Sequence, residues 1–310
     1  MYLAHYAFQS MPFALTPNTA FYVELATHQQ AMEVLQTALA LGEGFIKVTG
    51  EVGTGKTLLC RKLMQEAPTE WTIAYVPDPQ LTPTQLRWAL ALELGLKQSA
   101  NVDELQLAHL LQRWLLHLAQ QGQRVILLID EAQALPDDTL EALRLLSNLE
   151  TEQHKLVQVV LFAQPELDRR LARYQFRQLR QRISFSCQLG MLTSAQVSNY
   201  VNERLQRAGR IEPLFSAPAL QLLAWFSRGI PRLINMMAHK TLLLGYGAGL
   251  SEIGVRQVIV AAMDTDDVIM PWRQGPLVWL FLAAMVFSII AISSASFGWQ
   301  WLTTLGGGRG

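Results

Sequence analysis

Through the first 190 residues, short apolar runs of strand length alternate with longer stretches whose apolar residues recur at helical spacing. ATHQQAMEVLQTALALGEG carries the helical period and closes on Gly42 and Gly44, a plausible helix end. FIKVTG reads as a short strand running into a glycine-rich turn, and KTLLCRKLMQEA as the helix behind it. WTIAYVP is a second strand, followed by the helices TPTQLRWALALELG and VDELQLAHLLQRWLLHLAQQG, the latter long and amphipathic. VILLID is an unbroken apolar run ending in a carboxylate, the pattern of a parallel strand buried on both faces. DDTLEALRLLSNLETE predicts a helix, and LVQVVLFA and RISFSCQL predict two more strands. Strands separated by helices imply an open α/β sheet with crossover connections. From about Thr193 the strand signal stops, and four helical stretches separated by Gly, Pro or Ser predict a small all-helical unit.

The pattern changes again near the end, where Leu277 to Phe297 is apolar and uncharged. A helix of about 20 such residues spans the roughly 30 Å hydrocarbon layer of a membrane. Trp272, Trp299 and Trp301 bracket the stretch as interfacial anchors would. Composition adds little to this. The 310 residues carry 25 basic and 25 acidic side chains, so no overall positive field draws the chain to nucleic acid. Cys60 and Cys187 are the two cysteines, which fits a reducing compartment, and the N-terminus lacks the pattern of a secretory signal. His5, His28, His109, His117, His154 and His239 form no metal-ligand spacing. Tyr2, Tyr6, Phe8 and Phe13 suit either an adenine pocket or simple packing.

The chemistry lies in the first unit. GEVGTGKT, Gly50 to Thr57, has the spacing G-x-x-x-x-G-K-[ST] between a strand and a helix. Gly50, Gly53 and Gly55 allow a curled backbone whose N–H groups, with those of Glu51, Val52, Thr54 and Leu58, surround a phosphate chain. Lys56 would reach the outer phosphates and Thr57 would ligate Mg²⁺. Asp130, at the end of VILLID, is placed to hold the same metal shell, and Glu131 to orient an attacking water. Gln164, just past the next strand, is placed at the same sheet edge to hydrogen-bond a phosphate or that water. Arg177, Arg180 and Arg182 in FRQLRQRISF, and Arg232 in SRGIPRLIN, are candidates for spreading charge on a γ-phosphate.

In this order the elements resemble the AAA+ ATPases: Walker A at Gly50–Thr57, Walker B at Val125–Glu131, sensor 1 at Gln164 and a sensor-2 arginine at Arg232 in a helical lid. LIDEAQ, AQPEL, LRQRI and GIPRLIN are more particular, and with the N-terminal stretch they resemble the ExeA/GspA-type secretion ATPases, specifically the MSHA-pilus branch. The resemblance implies an ATP- and Mg²⁺-dependent ATPase that works as a homo-oligomer. Arg180 or Arg182 would then act as a finger across the subunit boundary, with Arg182 slightly preferred. It also implies membrane-embedded pilus or type II secretion proteins as partners. ExeA-type relatives carry a peptidoglycan-binding domain beyond the membrane segment, and no such domain is expected here.

The expected organisation is an AAA+ core at 1–190, a helical lid at 191–266, a linker at 267–276, a transmembrane helix at 277–297 and a short extracytoplasmic tail at 298–310. The expected location is the bacterial inner membrane, single-pass, with the ATPase cytoplasmic and no nucleic acid bound. Two other readings stand beside it: a nucleotide-gated scaffold with incidental turnover, and a DNA-handling AAA+ ATPase.

Overall fold

The computed structural model describes residues 2–14, 21, 23–96, 102–150 and 155–268. The expected transmembrane helix at 277–297 lies outside the described residues, as do most of the expected linker and the tail at 298–310. Among the described residues no helix is long and apolar enough to cross a membrane.

The helix α1 (Tyr2–His5) is followed by α2 (Ala26–Ala40), β1 (Phe45–Gly50), α3 (Lys56–Gln65), β2 (Trp71–Val76), α4 (Pro83–Glu93) and α5 (Glu104–Gln120). Then come β3 (Arg124–Ile129), α6 (Asp137–Leu146), β4 (Val157–Ala163), α7 (Glu166–Leu171), α8 (Arg177–Arg182) and β5 (Ile183–Leu189). Four helices close the series: α9 (Ser194–Arg207), α10 (Ala217–Ser227), α11 (Pro231–Gly247) and α12 (Val255–Met263). The strands form one parallel sheet in the order β2-β3-β4-β1-β5.

The period-2 alternation of each strand feeds two cores. Val125, Leu127 and Ile129 of β3 join Val157, Val159 and Leu161 of β4 under α4 to α8. Ile126 and Leu128, with Val160 and Phe162, face the other way and pack under α2 and α3. Both faces are covered, which is why VILLID and VQVVLFA lack polar alternation. Each fully buried Val, Leu or Ile here contributes about 1.5–3 kcal/mol. The expected helix DDTLEALRLLSNLETE stops early, at Leu146. Ser147 turns its hydroxyl back onto the Arg144 carbonyl, and Glu150 and Lys155 then pair across an antiparallel bridge.

The third core belongs to the helical unit and takes in the N-terminal stretch. Tyr2, Tyr6, Phe8 and Phe13, suited by sequence to an adenine pocket or to packing, are buried among α9 to α12. The physical reason is local. The segment has apolar residues but no strand register with the sheet, so its aromatics find the groove of the helices instead. Arg204 fixes it there, donating to the Pro12 carbonyl at 2.6 Å and to the Tyr200 hydroxyl at 3.0 Å.

The joint between sheet and helical unit is made at Gly229, between α10 and α11. Its φ is +72°, and the Leu192 N–H donates to its carbonyl at 2.9 Å. A Cβ on Gly229 would collide with the Leu192 backbone. Gly122 has the same handedness, φ +76°, but open space around it. Gly229→Ala is therefore expected to lower unfolding free energy by about 3 kcal/mol, and Gly122→Ala by about 1 kcal/mol. Urea denaturation of the two variants checks this, and equal losses would contradict the collision.

Candidate active site

The strand order brings β4 between β3 and β1, with Ile129 opposite Leu161 and Thr49 opposite Ala163. Gly50, Asp130 and Gln164 each follow these residues, so all three emerge at one carboxyl edge of the sheet. In parallel α/β sheets that edge is where ligands bind.

Gly50 to Gly55 form the turn, and Lys56, Thr57 and Leu58 the first turn of α3. Gly53 and Gly55 take φ of +83° and +99°, which only glycine adopts without strain. The Thr54 hydroxyl donates to the Glu51 carbonyl at 2.9 Å and braces the curl. Glu51 and Val52 are exposed at its rim. No side chain caps α3, so the first N–H groups of that helix are left for an anion.

Lys56 is only 4 % exposed, yet its ammonium meets just two carbonyls, Gly50 O at 2.8 Å and Glu51 O at 3.1 Å. Burial lowers its pKa, against the opposing pull of Glu131 and Asp130. Asp130 is equally buried, and desolvation raises its pKa although Thr57 donates to its Oδ2 at 2.6 Å. Burial thus shifts both groups towards their neutral forms. A triphosphate beside Lys56 and a divalent cation beside Asp130 and Thr57 would reverse both penalties, so the residues fit Mg²⁺-ATP. Asp130 and Thr57 would hold that metal, and when bound it would neutralise charge developing on the phosphate.

Glu131 takes a left-handed backbone, φ 49°, and its N–H donates to Asp130 Oδ1 at 3.0 Å. The side-chain amide of Gln164 donates to Glu131 Oε2 at 3.0 Å. Arg232 sits at the start of α11, and its backbone N–H donates to the Gly53 carbonyl at 3.1 Å while its side chain is exposed. The helical unit therefore touches the phosphate loop directly.

The two finger candidates separate. Arg182 donates to the Ser147 hydroxyl at 2.8 Å and the Arg144 carbonyl at 3.2 Å, which ties α8 to the end of α6. Arg180 and Arg177 are exposed. Among the described residues the Arg180 side chain makes no hydrogen bond or ion pair, so the geometry favours Arg180 over the Arg182 preferred from sequence.

His28, Gln133 and Arg170 also belong to the site, and the sequence reading assigned none of them a role. His28 is 3 % exposed and lies against the loop, its Nε2 3.0 Å from the Thr54 carbonyl. A carbonyl only accepts, so Nε2 carries the proton. A Cβ on Gly55 would come within 2.8 Å of the same nitrogen. No sequence spacing announces this contact, because α2 reaches the loop only through tertiary packing. Gln133 did carry a signal, standing two residues past Glu131 within LIDEAQ. Among the described residues no cluster of three metal-ligating side chains occurs.

Residues 40–171 match the family model described as AAA domain. The chain is 38 % identical over 302 residues to general secretion pathway protein A of Aeromonas hydrophila, covering 97 % of this chain and 54 % of that protein. It is 27 % identical over 145 residues to the Mu-like prophage FluMu DNA transposition protein B of Haemophilus influenzae, covering 47 % of each. The chain spans about half the length of the curated relatives it matches. Among solved structures, Cdc6p from Pyrobaculum aerophilum superposes with a TM-score of 0.64 at 20 % identity, covering 82 % of this chain and 72 % of that one. The fold is thus the AAA-type P-loop α/β fold.

Burial lowers the His28 pKa from 6.5 to about 4. Between those values the unfolded chain binds the extra proton and the folded chain does not, so stability falls as pH drops from 6.5 towards 4. The loss reaches about 3 kcal/mol at most. His28→Gln keeps an N–H for Thr54 and removes the titration. Its melting temperature is expected to fall less than that of the wild type across this window. Parallel curves for the two proteins would contradict the neutral, buried histidine.

Proposed function

We propose that this chain is a membrane-anchored AAA+ ATPase of the ExeA/GspA type. It hydrolyses Mg²⁺-ATP to support assembly of a type II secretion system or a type IV pilus, in the manner of the MSHA-pilus biogenesis protein MshM. The observation that carries the reading is the pairing of a complete hydrolytic set with the secretion-protein likeness. Lys56, Thr57, Asp130, Glu131 and Gln164 converge at one sheet edge, in a chain alike over 97 % of its length to a general secretion pathway protein. The uncharged stretch at 277–297 supports a single pass through the inner membrane, with the ATPase on the cytoplasmic side and membrane-embedded assembly proteins as partners.

In this reading Glu131 accepts a proton from the attacking water, Gln164 orients the pair, and Lys56 with the loop N–H groups steadies the phosphates. Arg232 brings the lid to the loop. Arg180, exposed on α8, completes the site of a neighbouring subunit in a homo-oligomer.

A DNA-handling role has one observation in its favour. Arg169, Arg173, Tyr174, Arg177 and Arg180 form an exposed basic and aromatic stretch, and the Arg177 guanidinium lies 5.9 Å from the Tyr174 ring centroid. The zero net charge weighs against it.

Turnover measured over a range of protein concentrations separates these readings. Activity per chain is expected to rise with concentration, and to be lost in both Glu131→Gln and Arg180→Ala. Mixing the two inactive variants is expected to restore part of it, since a mixed oligomer contains sites with Glu131 from one chain and Arg180 from the next. ATP binding without turnover would favour the scaffold. Turnover stimulated by DNA, with a steep salt dependence, would favour the nucleic-acid role.

A further inference from the structure

We infer that Gln133 is a positioning residue for hydrolysis: it fixes the Glu131 carboxylate and links it to Gln164 and to the arginine-bearing α7–α8 segment. The inference rests on the ATPase reading above.

The contacts form a closed chain. The Gln133 side-chain amide donates to Glu131 Oε2 at 2.5 Å, and the Gln164 amide donates to that same oxygen at 3.0 Å. The Gln133 side-chain oxygen in turn accepts the Gln164 backbone N–H at 2.9 Å. Gln133 thus holds both the glutamate and the polar residue that stands beside it. Both donors land on Oε2, and among the described residues no donor reaches Oε1. Oε1 is the oxygen left to take a proton from water.

Gln133 is itself held. Its backbone carbonyl accepts from the Arg170 guanidinium at 2.7 Å, and Arg170 is paired with Asp137. Arg170 lies on α7, one short turn before the helix that carries Arg180. Asp137 opens α6, whose far end is tied to Arg182. A shift of α7 and α8 at a subunit boundary would therefore reach Glu131 through Arg170 and Gln133.

Glutamate at 133 is the discriminating substitution. It retains the size of glutamine and an acceptor for the Gln164 N–H, but it places a second carboxylate against Glu131. Two carboxylates so close repel each other, which drives the Glu131 carboxylate from its place. Alanine removes the donor without adding charge.

The experiment is steady-state turnover of the full chain in detergent, for wild type, Gln133→Ala, Gln133→Glu and Glu131→Gln, over pH 5 to 9, with Mg²⁺-ATP affinity and melting temperature measured alongside. Gln133→Ala is expected to lower kcat roughly tenfold while KM and ATP affinity stay near wild type. Gln133→Glu is expected to fall further, again with KM near wild type. The inference is overturned if the wild type needs Glu131 but neither Gln133 variant loses kcat. It is also overturned if the loss in both variants tracks weaker ATP binding or a lower melting temperature. Wild-type turnover that survives Glu131→Gln would instead overturn the ATPase reading itself.

Discussion

The contact on which this architecture depends is the buried ammonium of Lys56 against the carbonyls of Gly50 and Glu51. Two neutral acceptors take its hydrogen bonds, and Glu131 and Asp130 attract it, but among the described residues no carboxylate forms an ion pair with it. A buried charge without an ionic partner is costly. The fold tolerates it because the surrounding elements hold the loop rigidly: β1 inside the sheet between β4 and β5, α3 behind it, His28 of α2 against Thr54, and the start of α11 against Gly53. The binding energy of a polyanion is thus prepared in advance by a strained electrostatic arrangement.

The same loop explains why a helical unit accompanies the sheet. Gly53 has no side chain, and the space beside it is taken by Arg232 and Ile230. The phosphate loop is therefore a joint between the two units as well as a ligand cradle. Whatever fills the loop bears directly on the start of α11, and through it on the core that α9 to α12 share with the N-terminal aromatics. On the other side of the site, Gln133 and Arg170 run from Glu131 towards the exposed arginines of α8. Nucleotide state has mechanical routes out of the pocket in two directions.

Much of this was legible in the sequence because parallel strands, helical periods and a glycine-rich turn are local patterns. FIKVTG and LVQVVLFA announced strands, VILLID a strand buried on both faces, and the spacing from Gly50 to Thr57 a phosphate loop. The parts that were not legible depend on tertiary packing. Nothing near His28 in sequence signals that α2 will lay its ring against Thr54, twenty-six residues on. Tyr2, Tyr6, Phe8 and Phe13 were apolar enough for any core, and only the assembled lid decides which one they enter. Arg180 and Arg182 are equivalent in composition and differ only in that Ser147 lies within reach of one of them.

The central claim is that Lys56 is a charge awaiting phosphate. The most direct test is calorimetry of Mg²⁺-ATP binding, with urea unfolding of the nucleotide-free protein, for wild type and Lys56→Met. The variant is expected to bind at least about 100-fold more weakly while its nucleotide-free form is as stable as the wild type or more so. Unchanged ATP affinity, or a nucleotide-free variant several kcal/mol less stable, would contradict it, because Lys56 would then serve the loop's own structure.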